Sequence, residues 1–193
     1  MTLTRHFSLN RLVMLALVAA AIVAALGVLQ RPAAAGNKGD EAKVQLRDAA
    51  GTVVGDAKFE QERNGVDVRV KVRGMTPGFH GFHIHTVGNC VPGDFTSAGG
   101  HFNPTGESHG HHAGDMPTLY VNPDGTGEAR FTIASFQVSH LFDADGSALI
   151  VHAGPDNLAN IPQRYAPAGP DGTTLGTGDS GARVACGAIQ LDD

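Results

Sequence analysis

The run Val66-Asp67-Val68-Arg69-Val70-Lys71-Val72 sets an apolar side chain at every second position and a charged one between each pair. Only an extended strand sends alternate side chains to opposite faces, so this run specifies a strand with one face in a core and one in water. Lys43-Val44-Gln45-Leu46-Arg47 repeats the pattern, with Gly51 following as a turn signal. Short runs at 52–54, 82–85, 119–121, 129–133, 148–152 and 184–189 bring the expected count to about eight strands. Turn-forming residues punctuate them: Asn64-Gly65, Thr76-Pro77-Gly78, Pro123-Asp124-Gly125 and Asp145-Gly146. Helical periodicity is almost absent, and an antiparallel sandwich or barrel is the expected all-β architecture. Segments 89–117 and 153–181 are rich in glycine and proline and carry no strand pattern. Structureless loops of that length are uncommon unless they do something.

The first 35 residues read as a targeting segment outside the fold. Arg5 and Arg11 precede an apolar run from Leu12 to Leu29, and Ala33-Ala34-Ala35 supplies the small residues of a cleavage site before Gly36. The run is also near the minimum for a membrane-spanning helix, so a retained anchor is the alternative to a cleaved secretory signal. Either way residues 36–193 form one expected domain outside the cytoplasm, secreted, periplasmic or held at the outer face of the membrane. This part carries 11 Lys+Arg against 19 Asp+Glu, a net charge of −8. Such an acidic surface argues against nucleic acid and anionic lipid as partners. The two cysteines, Cys90 and Cys186, read as a disulfide in an oxidising compartment, with thiolate metal ligands as the weaker alternative.

Seven of the ten histidines fall between His80 and His112. Imidazole is the commonest protein ligand for divalent transition metals, so a cluster this dense makes a metal site the first hypothesis. His83 and His85 form H-x-H on a predicted strand, and residues two apart on a strand share a face. His152, at the end of the apolar run 148–151, offers a third ligand. His109, His112 and Asp115 form H-x-x-H-x-x-D between glycines, a compact set suited to tetrahedral zinc. His101 lies between the two groups, and one imidazole with both nitrogens free can bridge two metals.

Three segments then carry a resemblance. Gly81-Phe82-His83-Ile84-His85-Thr86-Val87-Gly88-Asn89-Cys90, Gly99-Gly100-His101-Phe102-Asn103-Pro104 and Gly181-Ala182-Arg183-Val184-Ala185-Cys186-Gly187 resemble the copper/zinc superoxide dismutase family in its bacterial secreted form. The resemblance implies an eight-stranded antiparallel Greek-key β-barrel with two long functional loops. It implies copper on His83, His85, His101 and His152, and zinc on His101, His109, His112 and Asp115. Asp156 takes the place of the family's aspartate that links copper and zinc ligands, Arg183 that of its active-site arginine, and Thr177 that of a threonine lining the substrate channel. Cys90 and Cys186 take the places of its intrasubunit disulfide. His80 matches a structural histidine, His111 and His140 match no ligand, and His6 lies in the leader.

The implied reaction is disproportionation of superoxide to oxygen and hydrogen peroxide by Cu(II)/Cu(I) cycling beside a histidine-bridged structural zinc, an antioxidant defence outside the cytoplasm. Arg183 would dock the anion, and His101 would deliver a proton. The resemblance is compatible with a monomer and with a homodimer. The chain departs from the family in its cations: every lysine lies at or before Lys71, and Arg164 in the second loop is the candidate to replace the missing steering charge. The alternative function on the same fold is a non-catalytic copper/zinc-binding module. An adhesion-like sandwich leaves the histidines unexplained.

Overall fold

A computed structural model of the chain describes residues 40–192. The leader expected over 1–35 lies outside the described residues. Ten strands run in the order β1 (Glu41–Arg47), β2 (Val53–Glu62), β3 (Gly65–Val72), β4 (Gly78–His80), β5 (Phe82–His85), β6 (Leu119–Val121), β7 (Gly127–Ile133), β8 (Ala148–His152), β9 (Arg183–Ala188) and β10 (Gln190–Leu191). Among the described residues one short helix, α1 (Gly172–Thr177), and two 3₁₀ turns, Thr96–Ala98 and Val138–Leu141, lie between them. Among the described residues no helix is long and apolar enough to cross a membrane.

The main sheet has the order β5-β8-β9-β1-β2-β3-β7, every pair antiparallel. From β7 a tight turn, with Asn122 N–H bonded to Thr126 O at 2.7 Å, leads back to β6. β6 pairs with β4, and Gly81 alone separates β4 from β5. The short β4-β6 sheet therefore lies in the chain between the two ends of the main sheet, β7 and β5. β9 lies beside β1, and β7 beside β3, so chain neighbours are not always sheet neighbours, as in a Greek key.

Two expectations about strands are corrected. The run read as 52–54 is the start of a ten-residue strand, because Ala57 and Phe59 point inward while Asp56 and Lys58 point outward. Gly55 sits inside this strand: a Cβ there would lie 2.4 Å from Lys71 O, so the close approach of β3 requires glycine. β4 and β10, three and two residues long, were too short to show a pattern.

Inside the barrel Val44, Leu46, Phe59, Val66, Val68, Val70, Phe82, Ile84, Leu149 and Val151 form the main core, each 3% exposed or less. The alternation of β5 and β8 puts His83 and His85, paired with Ile150 and Ala148, on the opposite, outer face. Two loops roof that face. The first is tied to β5 by Ile84 N–H to Gly114 O (2.9 Å) and Phe102 N–H to Ile84 O (2.8 Å), and to β9 by the disulfide Cys90–Cys186. A second apolar cluster forms beneath it from Phe95, Ala98, Ala148, Ile150 and Cys186. The other loop carries α1, whose N-cap Asp171 accepts from Thr173 N–H and Thr174 N–H, and is held by Gly154 N–H to Ser180 O (2.9 Å).

Candidate metal centre

The outer face of β5 and β8 and the two loops bring eight titratable side chains together. His83 and His85 come from β5, His152 from the end of β8, His101, His109, His112 and Asp115 from the first loop, and Asp156 from the second. His83, His85, His101, His109 and His152 are at most 7% exposed. Isolated bridges between His85 and His101, and between His83 and Asp115, lay the first loop along β5 in strand-like register.

One ring nitrogen of each histidine on the β5/β8 side is occupied. His83 Nε2 bonds Asp156 Oδ2 (2.6 Å), His85 Nδ1 donates to Gly99 O (3.0 Å), and His152 Nδ1 donates to Gly181 O (3.0 Å). The other nitrogens, His83 Nδ1, His85 Nε2 and His152 Nε2, are buried without a hydrogen bond, and so is His101 Nε2. Buried polar atoms are nearly always hydrogen-bonded, and four orphans in one place are not what a folded core leaves by chance. Ligand atoms of these same four residues lie within 4.8 Å of one another. Carbonyls and a carboxylate on the far nitrogens fix which tautomer each ring presents, as partners of metal-bound imidazoles do.

A second group converges on Asp115. Its Oδ1 lies 2.9 Å from His101 Nδ1, 3.3 Å from His109 Nδ1 and 3.2 Å from His112 Nδ1, and His101 Nδ1 lies 3.3 Å from His112 Nδ1. Ligands about 2.0–2.1 Å from a tetrahedral zinc are separated by about 3.3 Å, and these four separations are close to that value. Asp115 Oδ2 is held by the N–H groups of Gly110 and His112. His83 also falls near His101, His109 and Asp115. Its Nε2 is committed to Asp156, however, and His112 completes the group around Asp115 Oδ1.

Asp156 joins the halves. Its Oδ2 takes His83 Nε2 and its Oδ1 takes His109 Nε2 (2.8 Å) and Leu158 N–H (2.7 Å). Gly178 leaves room for this: at φ +62° a Cβ would lie 2.0 Å from Asp156 Oδ1 and 2.3 Å from His109 Nε2.

Burial sets the charge state. It lowers His83 to about 4 despite Asp156, His85 to about 2 and His152 to about 3. Burial also opposes charge on His109, but its contacts with Asp115 and Asp156 outweigh it and lift the group to about 9. For both carboxylates burial is likewise outweighed, by hydrogen bonds from histidines, and they stay well below the usual range. The β5/β8 imidazoles are thus neutral at physiological pH, which is the state that binds a metal.

A cleft of about 390 Å³ opens onto this face. His85, His101, His152, Thr173, Thr177, Asp179 and Arg183 are among its walls. Arg183 points its Nη1 to Phe95 O and its Nη2 to Gly99 O, both at 2.7 Å. Thr177 Oγ1 donates to Thr173 O. Arg164 is not among the residues lining the cleft: it is exposed, with its guanidinium 4.7 Å from the Tyr165 ring centre. The steering role expected of Arg164 acts through its charge at a distance and does not require a place in the cleft wall. His80 bridges His152 O and Thr76 O through its two nitrogens, His111 is exposed outside both groups, and His140 caps a 3₁₀ turn. The sequence did not point to Phe95, Gly99 or Gly181, since they contribute carbonyls, which every residue has.

The fold is a Greek-key-like β-barrel whose outer face carries two convergent donor groups, each able to hold a metal ion. Residues 53–189 match the family model described as copper/zinc superoxide dismutase (SODC). A Superoxide dismutase [Cu-Zn] of Mycolicibacterium paratuberculosis is 43% identical over 162 residues, covering 75% of this chain and 71% of that protein. A Superoxide dismutase [Cu-Zn] of Mycobacterium bovis is 43% identical over 157 residues, covering 72% of this chain and 65% of its own length. The crystal structure of a SOD-like protein from Bacillus subtilis superimposes with a TM-score of 0.63 at 35% identity, covering 76% of this chain and 96% of that one. The chain belongs to the copper/zinc superoxide dismutase family. The family consists of oxidoreductases acting on superoxide with copper and zinc as cofactors, and both donor sets fit those ions.

Proposed function

We propose that this chain disproportionates superoxide to oxygen and hydrogen peroxide outside the cytoplasm. The observation that carries the reading is the set of four buried, unpartnered nitrogens, His83 Nδ1, His85 Nε2, His101 Nε2 and His152 Nε2, beside a cleft that holds an arginine. These four would hold copper. His101 Nδ1, His109, His112 and Asp115 Oδ1 would hold zinc, with His101 as the shared bridge.

Copper supplies the one-electron exchange between Cu(II) and Cu(I) that zinc, with no redox chemistry, does not. The protein's own groups do the rest. Arg183, fixed by two carbonyls, presents positive charge to an anion entering the cleft and to the charge of developing peroxide. His101 is positioned to take a proton at Nε2 when that nitrogen is free and to pass it to the reduced substrate. Asp156 holds the ring planes of His83 and His109. Neutral His85 and His152 keep charge out of the site until a metal brings it. The local field near Arg183 can favour anion entry even though the molecule is acidic overall.

The export reading rests on the sequence of residues 1–35, and a Cys90–Cys186 disulfide supports a non-reducing compartment. Metal analysis of the exported protein paired with a dismutation assay tests the function. About one copper and one zinc per chain with fast turnover is expected. Zinc without copper, and no activity after copper loading, would replace the enzyme by a metal-binding module on the same fold.

A further inference from the structure

Phe95 combines three properties seldom found together. It is aromatic, it is 2% exposed, and it adopts the left-handed conformation, φ 54° and ψ 23°, that residues with a Cβ seldom enter. Such outliers persist only where the surroundings hold them, and they concentrate at functional positions. Its ring packs with Ala98, Ala148, Ile150 and Cys186, so the residue is held by β8, β9 and the disulfide together. Its carbonyl accepts twice, from Ala98 N–H (3.1 Å), which closes the 3₁₀ turn, and from Arg183 Nη1 (2.7 Å). Four residues on, at the end of the turn, Gly99 O takes Arg183 Nη2 and also His85 Nδ1.

From this geometry we infer that Phe95 is a positioning residue for Arg183: its buried ring locks a left-handed turn whose two carbonyls clamp the guanidinium and fix its distance from the β5 histidines. The ring does not touch the cleft, and Phe95 is not among its lining residues. It acts through Arg183 alone. A guanidinium carries five N–H donors in a planar fork, and a clamp on both terminal nitrogens fixes the plane of that fork and so the directions of the donors that remain. Glycine at 95 would enter the left-handed region without steric penalty, yet would lose the ring; leucine would keep an apolar anchor. The two substitutions therefore separate the role of the ring from that of backbone conformation. The inference rests on the proposed dismutase reading only for the meaning of Arg183, not for the clamp itself.

The test uses the full exported protein. Arginine modification by phenylglyoxal, followed by peptide mass spectrometry, reports the clamp with or without metal. In the wild-type chain Arg183 is expected to react several-fold more slowly than the exposed Arg63 and Arg73. Phe95→Gly is expected to raise the Arg183 rate at least fivefold and leave Arg63 and Arg73 unchanged, while Phe95→Leu stays within twofold of wild type. On copper- and zinc-loaded protein, Phe95→Gly is expected to weaken binding of azide, an anionic probe, about five- to tenfold at unaltered metal content, with Phe95→Leu restoring it. An Arg183 that reacts as fast as Arg63 in the wild type overturns the clamp, and this needs no variant to fold. Unchanged Arg183 reactivity in Phe95→Gly overturns the role of the ring. Failure of the dismutase reading would appear separately, as loaded wild-type protein without turnover.

Discussion

Reducing the Cys90–Cys186 disulfide isolates one contribution to stability without changing a side chain. The bond spans a separation of 96 residues. Chain-entropy arithmetic assigns a loop of that length about 16 cal/mol/K, or about 4.7 kcal/mol at 25 °C, of freedom denied to the unfolded chain. The native state loses little on reduction, because Cys186 remains in the cluster of Phe95, Ala98, Ala148 and Ile150 at 2% exposure. The difference should therefore appear almost whole, as a fall of roughly 10–19 °C in Tm at about 2–4 °C per kcal/mol for a domain of this size. The assay is urea unfolding of the metal-free protein at pH 7.5, oxidised and after reduction by a phosphine, since bound metal would add its own stabilisation to both forms. A loss of 3–5 kcal/mol supports the entropic account. A loss below about 1 kcal/mol would refute it and mean that the reduced, unfolded chain is already held compact by other contacts.

Three further outcomes follow from the site. His83→Ala is expected to cut turnover by more than two orders of magnitude and to reduce copper content while the disulfide-tied barrel still unfolds cooperatively, measured by metal analysis and circular dichroism. Metal-free protein should lose stability as pH falls from 7.5 to 5.5: the native pKa values of His83, His85 and His152 lie below the unfolded value of about 6.5, so the unfolded chain takes protons that the native state refuses, about 1.4 kcal/mol for each histidine at pH 5.5. His109, raised to about 9, opposes this, since its contribution is complete below 6.5 and fades as pH rises towards 9; a pH series of unfolding midpoints that is flat between 5.5 and 7.5 would contradict the assignment. Gly178→Ala should displace Asp156 and lower zinc content and activity together, with a loss of at least about 1 kcal/mol from the left-handed backbone alone; unchanged zinc content by mass spectrometry would show that the loop absorbs the clash.

The legible parts of the chain were those where residue type and geometry coincide. The valines of β3 announced a strand because period two is the strand's own repeat. His83 and His85 announced a shared face for the same reason, and the short spacing of His109, His112 and Asp115 let one loop wrap three donors round one point. β2 was read too short because glycine at position 55 interrupts the apolar alternation, while its place at a close approach between strands is set by the neighbouring strand. Phe95, Gly99 and Gly181 stayed hidden because their contribution is a carbonyl whose direction is set by backbone angles, not by side-chain identity.

Asp156 has a thermodynamic consequence. One carboxylate holds His83 on the side that would take copper and His109 on the side that would take zinc, and His101 belongs to both donor sets. Ordering either half orders part of the other, so the two sites share a coupling free energy. Such a coupling is reciprocal: whatever factor zinc lends to copper affinity, copper must lend to zinc. An affinity measured for one ion is then a property of a four-state cycle, defined only when the occupancy of the other site is stated.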